Sequence, residues 1–203
     1  FNQPISGTLE INGLRDFAVV YVDGEKVGEL NRNTQTYSMD IEVPFNATLQ
    51  ILVENMGRIN YGSQITENNK GIISPITIAG KEINGEWNMY KLPMSAAPDL
   101  LKMGRFASDN TTAKASKLKG APVIYEGTFN LDKTDMENWG KGIIFINGIN
   151  IGRYWKVGPQ QTLYIPGVWL KKGENKIVIF EQLNDNAKTE VCTVQTPKLM
   201  DLK

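Results

Sequence analysis

The chain has 203 residues, and its 22 Lys and Arg balance its 22 Asp and Glu, so the formal net charge is zero. It has no histidine and one cysteine, Cys192, which excludes histidine-dependent catalytic triads, histidine-ligated zinc, intrachain disulfides and cysteine-rich metal sites. The neutral charge argues against nucleic acid or an anionic membrane as a partner, and no apolar run reaches the roughly 18 residues of a membrane span.

Short strands separated by turns are predicted along the first part of the chain. Alternating or continuous apolar runs predict strands at residues 8–11, 17–22, 39–43 and 48–54. Asp23-Gly24 predicts a two-residue hairpin turn, because both central residues of such a turn need a positive φ. The sequence of residues 76–83 (PITIAGKEI from residue 75) predicts the last strand of this part.

The same order of elements returns in the second part of the chain. Strands are predicted at residues 142–146, 162–165 and 175–181, and Asn147-Gly148 takes the place of Asp23-Gly24. We infer two related all-β units, residues 1–84 and 85–203, of the sandwich type. Residues 87–92 predict a strand that opens the second unit, and the aperiodic segment 95–120 predicts a long loop.

The carboxylates offer two sites to weigh. Glu54 and Glu181 each end an apolar strand at what we take to be equivalent positions, which favours a shared structural bond to loop N–H groups over a catalytic pair. Oxygen ligands that could hold calcium lie close together in sequence at Asp132, Asp135, Glu137 and Asn138, but their spacing does not fit an EF-hand loop. We therefore predict no metal, no cofactor and no catalytic residue in this chain.

Aromatic and polar side chains give the candidate binding residues. Trp139 and Trp155 are candidates for stacking on a sugar ring, with core packing as the alternative. The glycine-bracketed segment 57–62 carries Arg58, Asn60 and Tyr61, which predict a binding edge. The alternative for this segment is a tight connection in which the arginine pairs with a carboxylate.

Three longer runs carry a resemblance to a known family. Residues 14–24, residues 52–62 (LVENMGRINYG) and residues 147–166 resemble the β domains of β-galactosidases of glycoside hydrolase family 35. The resemblance extends from about residue 8 to about residue 182. It implies two consecutive galactose-binding-like jelly-roll β-sandwich domains, which follow a catalytic (β/α)8 barrel that carries two glutamates.

The resemblance implies that this chain, which starts at Phe1, is the jelly-roll part of a longer polypeptide and lacks the first strand of its first domain. Its expected role is to pack on and support the barrel of a retaining β-galactosidase that hydrolyses terminal β-D-galactosyl residues, with Arg58, Asn60 and Tyr61 nearest the galactose. The alternative is a carbohydrate-binding module that holds galactosides through Trp139 or Trp155. We expect a secreted or periplasmic protein that is not an enzyme by itself.

Overall fold

The computed structural model describes residues 1–98, 120, 122–130, 139–183, 191, 194 and 196–199. Within these ranges the chain is built almost entirely of antiparallel β-strands and loops, and no helix there is long and apolar enough to cross a membrane. Two compact units are present, Phe1–Met89 and Tyr90–Lys203. The all-β fold class expected from the sequence is confirmed.

The strands are short. In chain order they are β1 (Ile5–Glu10), β2 (Leu14–Arg15), β3 (Phe17–Val22), β4 (Glu25–Asn31), β5 (Ser38–Val43), β6 (Leu49–Glu54), β7 (Gly71–Ile72), β8 (Thr77–Ile78), β9 (Lys81–Glu82), β10 (Val123–Asn130), β11 (Lys141–Ile146), β12 (Ile149–Trp155) and β13 (Glu174–Glu181). Single 3-10 turns lie at Arg32–Thr34 and Gly167–Trp169.

The first unit packs a four-stranded sheet, in the order β5-β1-β8-β9, against a three-stranded sheet, in the order β4-β3-β6. A small pair, β2 with β7, lies beside them. The core between the sheets includes Leu9 from β1, Val20 from β3 and Ile41 from β5. Strand β3 is buried along almost its whole length, as its continuous apolar sequence predicted.

The described part of the second unit is one four-stranded antiparallel sheet in the order β10-β13-β11-β12. Its core cluster is built on Trp139, Ile144 and Ile179, and Leu163 and Ile165 pack against this cluster from the connection that follows β12. One apolar face of the sheet therefore packs against a loop segment that is not itself paired into a sheet.

The two hairpin turns predicted from the sequence are confirmed. Asp23-Gly24 has φ values of 51° and 83°, and Asn147-Gly148 has 49° and 86°. Each hairpin also contains one register shift at the same distance before its turn. Because a bulge at a matched position is a specific backbone feature, the structure supports two related units.

Side chains close both turns in the same way. Asp23 Oδ1 accepts a hydrogen bond from the backbone N–H of Thr48 at 2.7 Å. Asn147 Oδ1 accepts one from the backbone N–H of Lys176 at 3.0 Å. The turn residue thus anchors each hairpin to the strand that pairs with its first strand, which is β6 in the first unit and β13 in the second.

Several predicted strands differ in the structure. Residues 76–83 form two strands, β8 and β9, because Ala79 and Gly80 make a tight turn with φ values of 50° and 72°. Residues 162–165 and 87–92 form no strand, because no neighbouring strand among the described residues pairs with them in a ladder. Strand β10 was not predicted, since Glu126 and Gly127 interrupt its apolar run.

Some predictions fall on residues that the structure does not describe. These are most of the loop at 95–120, the acidic residues Asp132, Asp135 and Glu137, and Cys192. In the ranges that are described, no three His, Cys, Asp or Glu side chains lie close enough to hold a metal ion.

Candidate functional site

The strongest candidate site is the connection between β6 and β7, which we call the 55–70 loop. It has no regular secondary structure and contains all three binding residues that the sequence predicted in the first unit. Arg58, Asn60 and Tyr61 are all exposed, and the Tyr61 side chain is 90% exposed. The structure therefore places a phenol ring, an amide and a guanidinium together on one surface loop.

A buried carboxylate joins the two ends of this loop. Asp16 lies between β2 and β3 and is only 3% exposed. Its Oδ2 accepts hydrogen bonds from the backbone N–H of Met56 at 3.1 Å and from Lys70 Nζ at 2.6 Å. Its Oδ1 accepts one from Arg32 Nη1 at 2.9 Å. One carboxylate oxygen thus contacts the chain just after the loop begins and again where it ends.

The electrostatics of Asp16 favour its charged form. Burial acts to raise its pKa, but the hydrogen bonds from Lys70, Arg32 and the Met56 N–H outweigh burial, and the net pKa lies below the usual value. Two cations compensate the buried charge, with Nζ of Lys70 and Nη1 of Arg32 both in ion-pair range. The Asp16 carboxylate at the base of the loop is therefore ionised at neutral pH.

Inside the loop, Arg58 bonds to the chain and not to an acid. Its Nη1 donates to the backbone oxygen of Asn68 at 2.9 Å. No ion pair of Arg58 is found within the described part of the chain, contrary to the alternative in which the arginine pairs with a carboxylate. Gly57 and Gly62 have φ values of 106° and 101°, which side-chain-bearing residues rarely adopt, so the chain can turn sharply on either side of the three candidate side chains.

Such a loop can bind a neutral polyol. A phenol face packs on the C–H groups of a sugar ring, and amide and guanidinium donors meet its hydroxyl oxygens. The segment 57–66, which holds the three candidate side chains, contains no carboxylate, and the 55–70 loop has one, Glu67, whereas glycoside hydrolysis uses a pair of carboxylates. The chemistry of the loop is that of binding and positioning.

Asp16 and Lys70 were not among the residues predicted from the sequence. Asp16 directly precedes the buried run of β3, and a carboxylate next to a fully buried strand needs a partner. The position of Asp16 beside a buried strand therefore indicates, from the sequence, a carboxylate that has a partner. It does not identify the partner, because Lys70 and Met56 come from distant parts of the chain.

Trp139, the first aromatic candidate of the second unit, lies in the core. It is 6% exposed, and its ring makes edge contacts with Tyr125 and Tyr154, with centroids at 5.2 Å and 6.2 Å. A sugar platform needs an open ring face, which this burial does not provide.

Trp155, the second aromatic candidate, is half-buried on the edge strand β12. Nζ of the buried residue Lys141 lies 4.9 Å from its ring centroid, a cation–π contact. One face of the ring is therefore already in contact with a cation. Within residues 139–183, the most exposed aromatic ring belongs to Tyr164, at 83%.

Glu181 is a structural residue, as the sequence analysis predicted. Its carboxylate is buried and accepts backbone hydrogen bonds from Gly140 at 3.0 Å, Lys141 at 3.1 Å and Leu183 at 3.0 Å. It also accepts one from the hydroxyl of Tyr154 at 3.0 Å. Burial and the nearby Glu181 charge raise the pKa of Tyr154 far above its usual value, so this hydroxyl stays a donor.

The expected equivalence of Glu54 with Glu181 is wrong by one residue. Counted from the turn-closing residues Thr48 and Lys176, which are equivalent by their hydrogen bonds, Glu54 matches Gln182. Successive side chains of a strand point to opposite faces. Because of this shift of one residue, the side chains of Glu54 and Glu181 do not point to equivalent faces of their sheets.

Comparisons with known proteins agree on one family. The model of the "Beta-galactosidase, first all-beta domain" matches residues 1–93, and that of the "Beta-galactosidase, galactose-binding domain" matches residues 122–175. The chain is 36% identical over 168 residues to a β-galactosidase of Xanthomonas manihotis, covering 80% of this chain and 26% of that protein.

Two further relatives have the same description. The chain is 33% identical over 200 residues to β-galactosidase 1 of Dictyostelium discoideum, covering 88% of this chain and 29% of that protein. It is 37% identical over 205 residues to a β-galactosidase of Mus musculus, covering 91% and 31%. The chain therefore spans less than a third of the length of these relatives.

Proposed function

The chain carries two β domains of the β-galactosidase family, and we propose that they form the non-catalytic part of a longer β-galactosidase, in which they pack on and support the catalytic (β/α)8 barrel. The observation that carries this proposal is the match to both β domains within less than a third of each relative's length. A barrel needs about 250 residues of alternating strand and helix, and the described residues contain no such alternation.

Within this proposal, hydrolysis takes place elsewhere in the polypeptide. The barrel of a retaining enzyme uses two carboxylates, one as nucleophile and one as acid and then base, to release a terminal β-galactosyl residue. The residues of this chain take no part in bond cleavage. Their contribution is to stabilise the barrel and to complete the edge of its cleft.

We propose that the 55–70 loop is that edge, with Arg58, Asn60 and Tyr61 toward the galactoside. The support is the exposure of Tyr61 together with the anchoring of the loop at both ends by Asp16. An exposed aromatic ring on an anchored loop loses little conformational entropy on binding. Such a ring is suited to hold a sugar in a fixed orientation.

The test is kinetic and uses the longer enzyme. Tyr61→Ala is expected to raise KM for a galactoside by about 5- to 10-fold with little change in kcat, because it removes binding and not chemistry. The matched control is Tyr164→Ala, which removes an equally exposed phenol from the second unit. A KM unchanged by Tyr61→Ala contradicts the proposed place of the loop.

A second candidate function is a carbohydrate-binding module centred on Trp155, whose ring is partly exposed. Titration of the 203-residue chain with galactose, followed by backbone amide NMR, separates the two functions. We expect no saturable shifts around Trp155 up to tens of millimolar, because a cation already contacts its ring. Saturable shifts there favour the binding module.

A further inference from the structure

We propose that Asp16 is a positioning residue, whose carboxylate closes the 55–70 loop at both ends and so holds Arg58, Asn60 and Tyr61 in the orientation that meets the galactoside. The inference rests on the proposed function of this loop. It adds a residue that lies outside the loop and that takes no part in bond cleavage.

Asp16 is itself held by hydrogen bonds of its own backbone. Its backbone N–H donates to the oxygen of Glu54 at 3.1 Å, and its backbone oxygen accepts from the N–H of Arg32 at 2.9 Å. These bonds connect it to the end of β6 and to the 3-10 turn that follows β4. The carboxylate therefore projects from a rigid base in the sheet.

A single oxygen atom of Asp16 closes the 55–70 loop. Oδ2 of Asp16 accepts from the N–H of Met56 and from Nζ of Lys70, so residues 57–69 form a closed ring through a single oxygen. Hydrogen bonds to a charged acceptor are the stronger class. Closing the ring restricts the conformations of the residues between its two ends.

The 55–70 loop has few backbone hydrogen bonds of its own. In the described structure, its internal backbone bonds are those from Glu67 to Gln64 at 3.2 Å and from Asn69 to Glu67 at 2.8 Å. Oδ1 of Asn68 is buried and has no hydrogen-bond partner among the described residues. Side chains add two bonds within the loop, from the N–H of Gly57 to Asn55 Oδ1 at 2.7 Å and from Arg58 Nη1 to the Asn68 oxygen at 2.9 Å. The closed form of the loop therefore rests on these few bonds together with the bonds to Asp16 at its base.

Lys70 is a second charged group at the base of the loop. Its Nζ lies 2.6 Å from Asp16 Oδ2, and its side chain is largely buried. Lys70→Met removes only this contact and leaves Asp16 with Arg32 and the Met56 N–H. Asp16→Asn weakens all three contacts, so the two variants give a graded series.

The first experiment measures the rate at which trypsin cleaves after Arg58 in the 203-residue chain, with fragment 1–58 quantified by mass spectrometry. Asp16→Asn is expected to increase this rate by about 10-fold, and Lys70→Met by less, because each lost bond to a charged group opens the loop more often. The matched control is Glu126→Gln, which breaks an exposed ion pair with Lys176 in the second unit and is expected to leave the rate unchanged.

Circular dichroism establishes that each variant is folded. If Asp16→Asn fails to fold, Lys70→Met carries the test, since it keeps the buried carboxylate paired with Arg32. A cleavage rate within about twofold of wild type in a folded Asp16→Asn, or in Lys70→Met where only that variant folds, overturns the proposal.

The second experiment measures KM and kcat in the longer enzyme. Asp16→Asn is expected to raise KM by about 5-fold and leave kcat nearly unchanged, since the loop binds but does not react. Faster cleavage after Arg58 with unchanged KM, where Tyr61→Ala does raise KM, refutes the positioning role of Asp16. Unchanged KM in both variants refutes the proposed function of the loop itself.

Discussion

Replacing Glu181 with glutamine tests the hydrogen-bond network that we assign to it. Among the described residues, three backbone N–H groups and one hydroxyl donate to this carboxylate, and each of its oxygens accepts at least two hydrogen bonds. A carboxamide of the same shape has one acceptor oxygen and one NH2 group. Glu181→Gln therefore keeps the size of the side chain while it removes half of its acceptors.

The magnitude follows from the individual bonds. If the amide oxygen takes the place of Oε1, the N–H groups of Lys141 and Leu183 keep an acceptor, but a neutral one, at a cost of about 1 kcal/mol each. The NH2 group then faces the N–H of Gly140, which loses its acceptor at a cost of about 1–3 kcal/mol. Tyr154 can rotate its hydroxyl and accept. The expected loss is about 3–5 kcal/mol of unfolding free energy.

The assay is urea unfolding followed by tryptophan fluorescence. Trp139, Trp155 and Trp169 lie in the second unit and only Trp87 in the first, so the signal reports chiefly on the unit that contains Glu181. A loss of this size corresponds to a fall of about 12 °C or more in Tm for a unit of about 100 residues.

The control makes the same chemical change at an exposed site. Glu126 pairs with Lys176 at 2.9 Å, with both side chains well exposed, and such pairs contribute about 0–1 kcal/mol. If Glu181→Gln destabilises the second unit no more than Glu126→Gln does, the reasoning about the network is refuted.

Two further predictions concern a close approach of strands and pH. Gly142→Ala is expected to destabilise the second unit by at least about 2 kcal/mol, because a Cβ there collides with the backbone oxygen of Phe180 in the paired strand β13. The control is Gly167→Ala, which should change the urea midpoint little because no atom lies within 4 Å of the added Cβ. Because the pKa of Asp16 is lowered on folding, its contribution is present above the unfolded pKa of about 3.9 and is lost as pH falls toward the folded value. The urea midpoint of the first unit should therefore fall less between pH 6 and pH 3 in Asp16→Asn than in wild type, and an equal fall contradicts this assignment.

Much of the fold was predictable because its signals are local. Positive φ values were expected at the turn residues Asp23-Gly24 and Asn147-Gly148, and all four residues have them. The patterns of apolar residues that predict the strands are also local signals. For this reason β3, β6, β11 and β13 lie close to where they were expected. The failures at 87–92 and 162–165 share one cause. A residue pattern suits a strand, but a strand also needs a neighbour with which to form a ladder.

The candidate site was predictable only in part. Glycines and polar side chains in sequence indicated a loop with Arg58, Asn60 and Tyr61. The burial of Trp139 was not decided by its own neighbours in sequence, since it depends on Tyr125 and Tyr154 from other strands.

The sequence by itself determined the all-β class, the two related hairpins and the absence of histidine chemistry, because composition and turn propensity act between neighbouring residues. The tertiary structure alone decided that Asp16, Met56 and Lys70 meet at one oxygen and that Glu181 accepts hydrogen bonds from the backbone N–H groups of Gly140 and Lys141. These contacts join residues about 40 or more positions apart. They depend on strand register, in which a shift of a single residue turns a side chain to the opposite face of the sheet.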